Sequence, residues 1–363
     1  MADNVYNFGA GPAMLPVPVM EQIRDEFLDY QGLGVSVIEI SHRSKEFGEI
    51  LTETKSLFRE LAGVPDNYQI LFLHGGARMQ FSALPLNLAG RSPSNTCLYI
   101  ESGNFAGLAI KDAAPYGDIR VIASSADKNF ASLPIVDPAV IDQDAAYLHL
   151  TSNNTLFGTQ WGEFPDAGSV PLIADQTSEV LSRKIDYSRF GMIYAGLQKN
   201  LGPSGMAAVI IRDDLLGYAS KQTPVLLNYA TCAKDDSLTN TTNTFAIYAV
   251  KLVLQWLKRE GGVCVMEQRN KAKSTKLYEQ IDSSGFYRGF AQTDCRSRMN
   301  VTFNLPSVDL EKKFLAEAEE AGLYGLPGHR IVGGVRASVY NPMPMAGVET
   351  LAAFMQEFER TNG

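Results

Sequence analysis

Ile193-Tyr194-Ala195-Gly196-Leu197-Gln198-Lys199-Asn200-Leu201-Gly202-Pro203-Ser204-Gly205 is an apolar run that ends among small residues gathered around one lysine. An amine held partly out of water has its charged form disfavoured, so its pKa falls from about 10.4 and it becomes a nucleophile toward carbonyls. Schiff-base chemistry at Lys199 is the reading this invites. Taken alone, the residue also reads as a lysine whose stem packs on a loop while its head reaches solvent.

Upstream, Val170-Pro171-Leu172-Ile173-Ala174-Asp175-Gln176-Thr177-Ser178 is a short strand-like run that ends in an acid. Asp175 sits where a strand's carboxyl end meets a loop, the edge at which open α/β sheets bind ligands. It precedes Lys199 by 24 residues, enough chain for a second strand, Met192 to Ala195, to bring both side chains to one rim. A pyridoxal phosphate site needs such a pair, an amine for the aldehyde and a carboxylate opposite the pyridine nitrogen. Asp175 also reads as the N-cap of a following helix.

Working outward, short apolar runs alternate with helical patterns at Gln69 to Leu73, Cys97 to Ile100, Ile119 to Ala123, Ala146 to Leu150, Pro171 to Ala174, Met192 to Ala195 and Ala207 to Ile211. Such alternation predicts an α/β domain with a mostly parallel seven-stranded sheet flanked by helices. A helix from Phe245 to Arg259 follows, with Thr244 as its cap and Gly261-Gly262 as its stop. Beyond it the rhythm changes to a smaller α+β lobe: helices at Met266 to Ile281, Asp309 to Ala321 and Val348 to Arg360, and strands at Met299 to Phe303 and Val335 to Tyr340. We expect a large domain over residues 16–260 and a small one over 261–363, joined by an N-terminal arm, 1–15.

The chain has 363 residues, 45% of them hydrophobic and 20% charged, and a formal net charge of −8. An acidic chain has no general attraction for nucleic acid or an anionic membrane, so an anionic ligand needs a local basic cluster. The start of the chain lacks a basic region followed by an apolar stretch, and the four cysteines are scattered without a CxxC pair. Both features predict a cytoplasmic protein with reduced thiols and no metal site.

Candidate anion binders do occur. Leu71-Phe72-Leu73-His74-Gly75-Gly76-Ala77-Arg78 runs from a strand through two glycines into a helix, where free amides suit a phosphate. It matches neither GxxxxGK nor GxGxxG, which disfavours nucleotide binding. His42-Arg43 and His329-Arg330, with Arg336 shortly after, offer imidazole and guanidinium groups that pair with carboxylate or phosphate. Phe105 and Thr155 follow strand runs, where a ring and a hydroxyl reach a ligand, although each also reads as an ordinary core or turn residue.

With these groups assembled, the chain closely resembles the phosphoserine aminotransferases, pyridoxal phosphate enzymes of fold type I. The likeness rests on Gly11-Pro12-Ala13-Met14-Leu15-Pro16, Ser41-His42-Arg43-Ser44-Lys45-Glu46-Phe47, His74-Gly75-Gly76, Tyr194 to Asn200 and Gly328 to Gly334. The resemblance implies that Lys199 binds the cofactor's aldehyde, Asp175 its ring nitrogen, and Thr155 lies near its ring hydroxyl. It implies that Phe105 stacks on the ring, and that the amides of Ala77 and Arg78, with Gln198, hold the phosphate. Asn240 and Thr241 would reach that phosphate from the neighbouring subunit of a homodimer with shared sites. His42, Arg43, Arg78, His329 and Arg330 would receive the substrate's side-chain phosphate or carboxylate, and Arg336 its α-carboxylate.

The implied reaction is reversible transamination of 3-phosphohydroxypyruvate with L-glutamate in serine synthesis, with a related keto acid of vitamin B6 synthesis as a second substrate. Two positions depart from the family: Phe105 where bacterial relatives usually have tryptophan, and Ala10 where they often have serine. A cysteine desulfurase of the same fold needs a reactive cysteine in a Gly-rich electropositive setting, and none of the four cysteines has one. An alanine:glyoxylate aminotransferase has less use for so many cationic groups, and a noncatalytic scaffold has none for the Lys199 and Asp175 pair.

Overall fold

The seven apolar runs become the seven strands of one sheet in the computed structural model, which describes residues 5–363. Residues 1–4 of the expected arm lie outside the described residues. The chain begins with β1 (Tyr6–Asn7), α1 (Val17–Glu26), α2 (Lys45–Ala62), β2 (Tyr68–His74), α3 (Gly76–Leu88), β3 (Thr96–Glu101), α4 (Asn104–Ala113) and β4 (Asp118–Ser124). It continues through β5 (Leu148–Thr151), β6 (Asn153–Asn154), β7 (Thr159–Gln160), β8 (Leu172–Asp175), β9 (Met192–Gly196), β10 (Met206–Arg212), α5 (Tyr229–Lys234) and α6 (Thr244–Arg259). The last part comprises α7 (Gly262–Asp282), β11 (Arg288–Gly289), β12 (Asn300–Asn304), α8 (Val308–Glu320), β13 (Leu323–Tyr324), β14 (Val335–Ser338) and α9 (Met345–Asn362).

In the large sheet the order is β2-β10-β9-β8-β5-β3-β4, with β10 antiparallel to both neighbours and the other pairs parallel. Successive residues of a strand face opposite sides. In β9, Ile193 and Ala195 join the apolar cluster under α2 and α6, while Met192 and Tyr194 join the one under α3, α4 and α5. Burial on both faces explains why β8 and β9 read as unbroken apolar runs rather than alternating ones. The register then sets the future site. Thr151 and Asp175 stand side by side at the carboxyl ends of β5 and β8, with Tyr194 of β9 next to Asp175.

A third apolar cluster holds the C-terminal lobe together, where α7, α8 and α9 cover the antiparallel sheet β11-β12-β14. The N-terminal arm belongs to this cluster: β1 pairs in parallel with β13, and Phe8 is fully buried. Element ends differ from the sequence reading by a few residues in several places, as where the last helix starts at Met345 instead of Val348 and β5 at Leu148 instead of Ala146, and two of these shifts have local reasons. The strand expected to run to Tyr340 ends at Ser338, because the carbonyls of Val339 and Tyr340 accept from the buried Lys273 amine at 3.0 and 2.6 Å. The helix expected from Met266 starts at Gly262, since Gly261 and Gly262, at φ +99° and +75°, turn the chain straight from α6 into α7.

The cap of α6 also differs. Asn243, not Thr244, accepts the Ala246 amide at 3.0 Å, so its side chain satisfies one of the donors that every helix start leaves open. We therefore expect Asn243→Ala to lower stability by about 1 kcal/mol. Thr244→Ala should stay within about 0.5 kcal/mol of the parent. Denaturant midpoints of the two variants, measured side by side, check the assignment.

Candidate active site

Lys199 lies in the return from β9 to β10, and its side chain is 7% exposed. Three contacts hold that return in place. The Ala13 amide donates to the Gln198 carbonyl at 2.9 Å, Asn200 Nδ2 donates to the Val180 carbonyl at 3.1 Å, and Asn200 Oδ1 accepts the Asn341 amide at 3.1 Å. The arm crosses the lysine stem closely. Gly11 sits at φ +135°, and a Cβ there would stand 3.4 Å from Lys199 Cγ and 3.5 Å from Gln198 Cγ. Lys199 Nζ donates to Thr155 Oγ1 at 2.5 Å and stands 5.4 Å from the centre of the Phe105 ring. Burial pushes this amine down to about 7; Asp175 pulls it upward and Arg336 adds to the depression. The solvent-reaching alternative for Lys199 is thereby removed.

Asp175, 5% exposed, closes β8. Its Oδ1 accepts the Thr177 amide at 2.9 Å and the Thr177 hydroxyl at 2.6 Å, and that hydroxyl accepts the Gly196 amide at 3.1 Å. This is an Asx turn, not a helix cap, since turns rather than a helix follow. Burial raises the Asp175 pKa, whereas the Thr177 hydrogen bonds and Lys199 oppose the rise.

These groups share one cleft of about 180 Å³ lined by Ala77, Arg78, Phe105, Thr155, Gln198, Asp175 and Lys199. Helix α3 starts at its mouth, and the open amides of the first turn favour an anion there. Gly75, at φ +87°, makes that start possible: a Cβ would lie 2.6 Å from Met79 Cβ. Thr151, Asn153, Thr177 and Ser178 line the same cleft and were not singled out by the sequence reading. Their one signal is position, just at or past the carboxyl ends of β5 and β8.

Other candidates stand elsewhere in the chain. The Arg78 guanidinium pairs with Asp112 through two hydrogen bonds and lies 5.7 Å over Phe81. His42 and Arg43 sit in the loop before α2, where Arg43 Nε donates to His42 Nε2 at 3.3 Å. His329 and Arg330 occupy the loop before β14, and the His329 pKa is lowered by burial, then by Arg336 and Arg330. Arg336 is on β14, with its Nε buried and without a partner. Asn240 lines a separate cavity beside His74 and Met79, and Thr241 is exposed next to it. Among the described residues, no group of three or more His, Cys, Asp or Glu side chains is placed to hold a metal ion.

Residues 5–351 match the aminotransferase class-V family. A curated phosphoserine aminotransferase from Desulfatibacillum aliphaticivorans is 50% identical over 365 residues, covering 100% of both chains. The solved phosphoserine aminotransferase from Bacillus circulans subsp. alkalophilus superposes with a TM-score of 0.96 at 45% identity over 100% of both chains. A pyridoxal-phosphate-bound phosphoserine aminotransferase from Trichomonas vaginalis gives 0.93 at 36% identity, covering 97% of this chain and 100% of its own.

The buried amine has a consequence for stability. The unfolded chain keeps the Lys199 proton up to about 10.5, while the folded chain releases it near about 7. Folding therefore expels a proton between those values, and the stability owed to this group rises with pH across that window. In ligand-free protein we expect Lys199→Met to flatten the rise, as read by urea denaturation at a series of pH values. An unchanged slope would contradict the buried amine.

Proposed function

The chain belongs to the class-V aminotransferase family, and we propose that it catalyses the reversible transamination of 3-phosphohydroxypyruvate with L-glutamate, giving O-phospho-L-serine and 2-oxoglutarate. The observation that carries the reading is the desolvated Lys199 amine in one cleft with the Asp175 carboxylate. Full-length identity of 50% to a phosphoserine aminotransferase supports this substrate pair over those of other family members.

The residues present fit pyridoxal phosphate. The cleft offers an amine, a carboxylate, an aromatic face and the amides of a helix start, and Thr151 Oγ1 in its wall is buried without a partner. When bound, the cofactor supplies an aldehyde and an electron-accepting ring that let an amino group pass from donor to acceptor. Asp175, at the end of β8, would supply the carboxylate that keeps the ring nitrogen protonated. Ala77, Arg78 and Gln198, which line the cleft where α3 starts, would hold the phosphate. Phe105 in the cleft wall would offer the ring an aromatic face of smaller area than a tryptophan.

Lys199, poised near about 7, takes a proton from the substrate's α-carbon at Nζ and returns it on the other side of the transfer. Arg336 has an unpartnered Nε for the α-carboxylate. His42, Arg43, His329 and Arg330 suit a side chain that is a carboxylate in one half-reaction and a phosphate in the other. Arg78 joins them only on leaving Asp112.

The position of Asn240 and Thr241, away from Lys199 in one chain, supports a homodimer in which Asn240 of the partner subunit and Thr241 of the partner subunit complete each phosphate site. Exposed Leu28, Leu33, Ile38, Val225 and Leu226 supply apolar surface for a second copy to cover. We assign residues 16–260 to a large domain and 1–15 with 261–363 to a small one, a division supported by the separate apolar cluster of the C-terminal part. Free thiols at Cys97, Cys232, Cys264 and Cys295 support a cytoplasmic location. Among the described residues, no helix is long and apolar enough to cross a membrane.

With glutamate as donor, 3-phosphohydroxypyruvate should be the best acceptor in a keto-acid panel. Parity with pyruvate or glyoxylate would remove the substrate assignment and leave the cofactor class standing. A second expectation concerns sharing. Lys199→Ala and Asn240→Ala/Thr241→Ala chains, each weakly active or inactive alone, should regain activity when refolded together, because each mixed dimer holds one intact site. No recovery would argue against shared sites.

A further inference from the structure

Thr177 stands two residues past β8 in the wall of the cleft and is 8% exposed. Its hydroxyl meets the supports of both Asp175 and Lys199. It donates to Asp175 Oδ1 at 2.6 Å and accepts at 3.1 Å from the amide of Gly196, the last residue of β9 and three before Lys199.

Counting donors and acceptors sets these directions. A backbone amide only donates, so Gly196 takes a lone pair of the hydroxyl and the single Thr177 proton goes to the carboxylate. The Thr177 amide reaches the same oxygen at 2.9 Å. Oδ1 therefore holds two donors of its own chain, whereas among the described residues none hydrogen-bonds to Oδ2. The backbone of Asp175 is fixed as well, because the Ser152 amide and the Ser152 hydroxyl both donate to its carbonyl at 3.0 Å.

We propose that Thr177 is a positioning residue for Asp175: oriented by the Gly196 amide, its hydroxyl ties down Oδ1 and leaves Oδ2 as the acceptor presented to the ring nitrogen of pyridoxal phosphate. The inference rests on the reading of Asp175 as the partner of that nitrogen. The last torsion of an aspartate is soft, and two donors on one oxygen fix the plane of the carboxylate. They also favour its ionised form, opposing the burial that raises the Asp175 pKa. Both effects serve one end, since an ionised acceptor keeps the nitrogen protonated and the ring electron-accepting. Through Gly196, the same hydroxyl joins the end of β8 to the return that carries Lys199.

The test uses full-length protein loaded with pyridoxamine phosphate, isotope-labelled at the ring nitrogen; this probe has no aldehyde, so Lys199 forms no bond to it. Solid-state nitrogen NMR then distinguishes a protonated ring from a neutral one in the parent, Thr177→Val, Thr177→Ser, Asp175→Asn and the Thr177→Val/Asp175→Asn double variant. Asp175→Asn should move the signal toward the neutral position. Thr177→Val exchanges the hydroxyl for a methyl of similar size, which makes the carboxylate more basic and draws the proton toward oxygen. Its signal should move the same way over part of that distance, and its dissociation constant for the probe should rise about three- to tenfold. Thr177→Ser should keep the parent signal. Added to Asp175→Asn, Thr177→Val should move the signal no further.

A parent-like signal in Thr177→Val, with that of Asp175→Asn displaced, overturns the proposal and leaves the Asp175 reading standing. So does a shift that Thr177→Ser shares, or one that persists undiminished in the Asp175→Asn background, since either marks a general loosening of the turn. Should Thr177→Val fail to fold, Thr177→Ala, in which the hydroxyl is equally absent, takes its place in the same comparison. If Asp175→Asn itself keeps the parent signal, the ring-nitrogen reading falls and takes the proposal with it.

Discussion

The buried amine of Lys199 is the constraint on which the rest of the site depends. A charged group taken out of water is costly unless it finds partners, and a neutral amine in the same place is a nucleophile and a base. The surroundings are arranged for that balance. Thr155 accepts from the amine, Asp175 supplies an opposite charge, and Arg336 pushes the other way. The stem is flanked by Gly11 of the arm, whose φ of +135° is a conformation that L side chains rarely adopt. The loop itself is pinned through Asn200 to residues 180 and 341, so the amine does not escape to solvent.

That arrangement is possible because the sheet delivers its loops to one edge. Parallel register aligns Thr151, Asp175 and Tyr194, and everything that follows those strand ends emerges above the same rim. Antiparallel β10 allows the chain to turn back directly after β9, so Lys199 is carried by a short return instead of a crossover helix. Helix α3 begins at the same edge and turns its free amides toward the cleft. The C-terminal lobe then closes over the rim with Arg336 and Tyr340 on the segment that Lys273 ties down.

Much of this was legible in the chain. Each of the seven apolar runs is a strand of the sheet, because strands buried on both faces leave a continuous apolar mark. Lys199, Asp175, Phe105, Thr155, Ala77 and Gln198 meet in one cleft; the first four carry a local sign, a polar or aromatic residue at or after the end of an apolar run, whereas Ala77 and Gln198 came from the family resemblance. Element ends were less legible. Asn243 and Thr244 are both good cap residues, and only the backbone angles decide which side chain reaches Ala246. Asp112 follows from no pattern around Arg78, yet it determines where that guanidinium points. Tyr340 looked like one more strand residue.

The sequence by itself determined the layered α/β architecture, the cofactor chemistry invited by Lys199 with Asp175, and the family to which the chain belongs. These depend on periodicity and on short motifs, which are properties of neighbours along the chain. Tertiary structure alone decided which polar groups face one another: Thr155 on Lys199, Arg78 on Asp112, and Asn240 in a cavity separate from the cleft of its own chain's lysine. Hydrogen bonds and desolvation act over a few ångströms between residues far apart in sequence, so their partners exist only once the chain has folded.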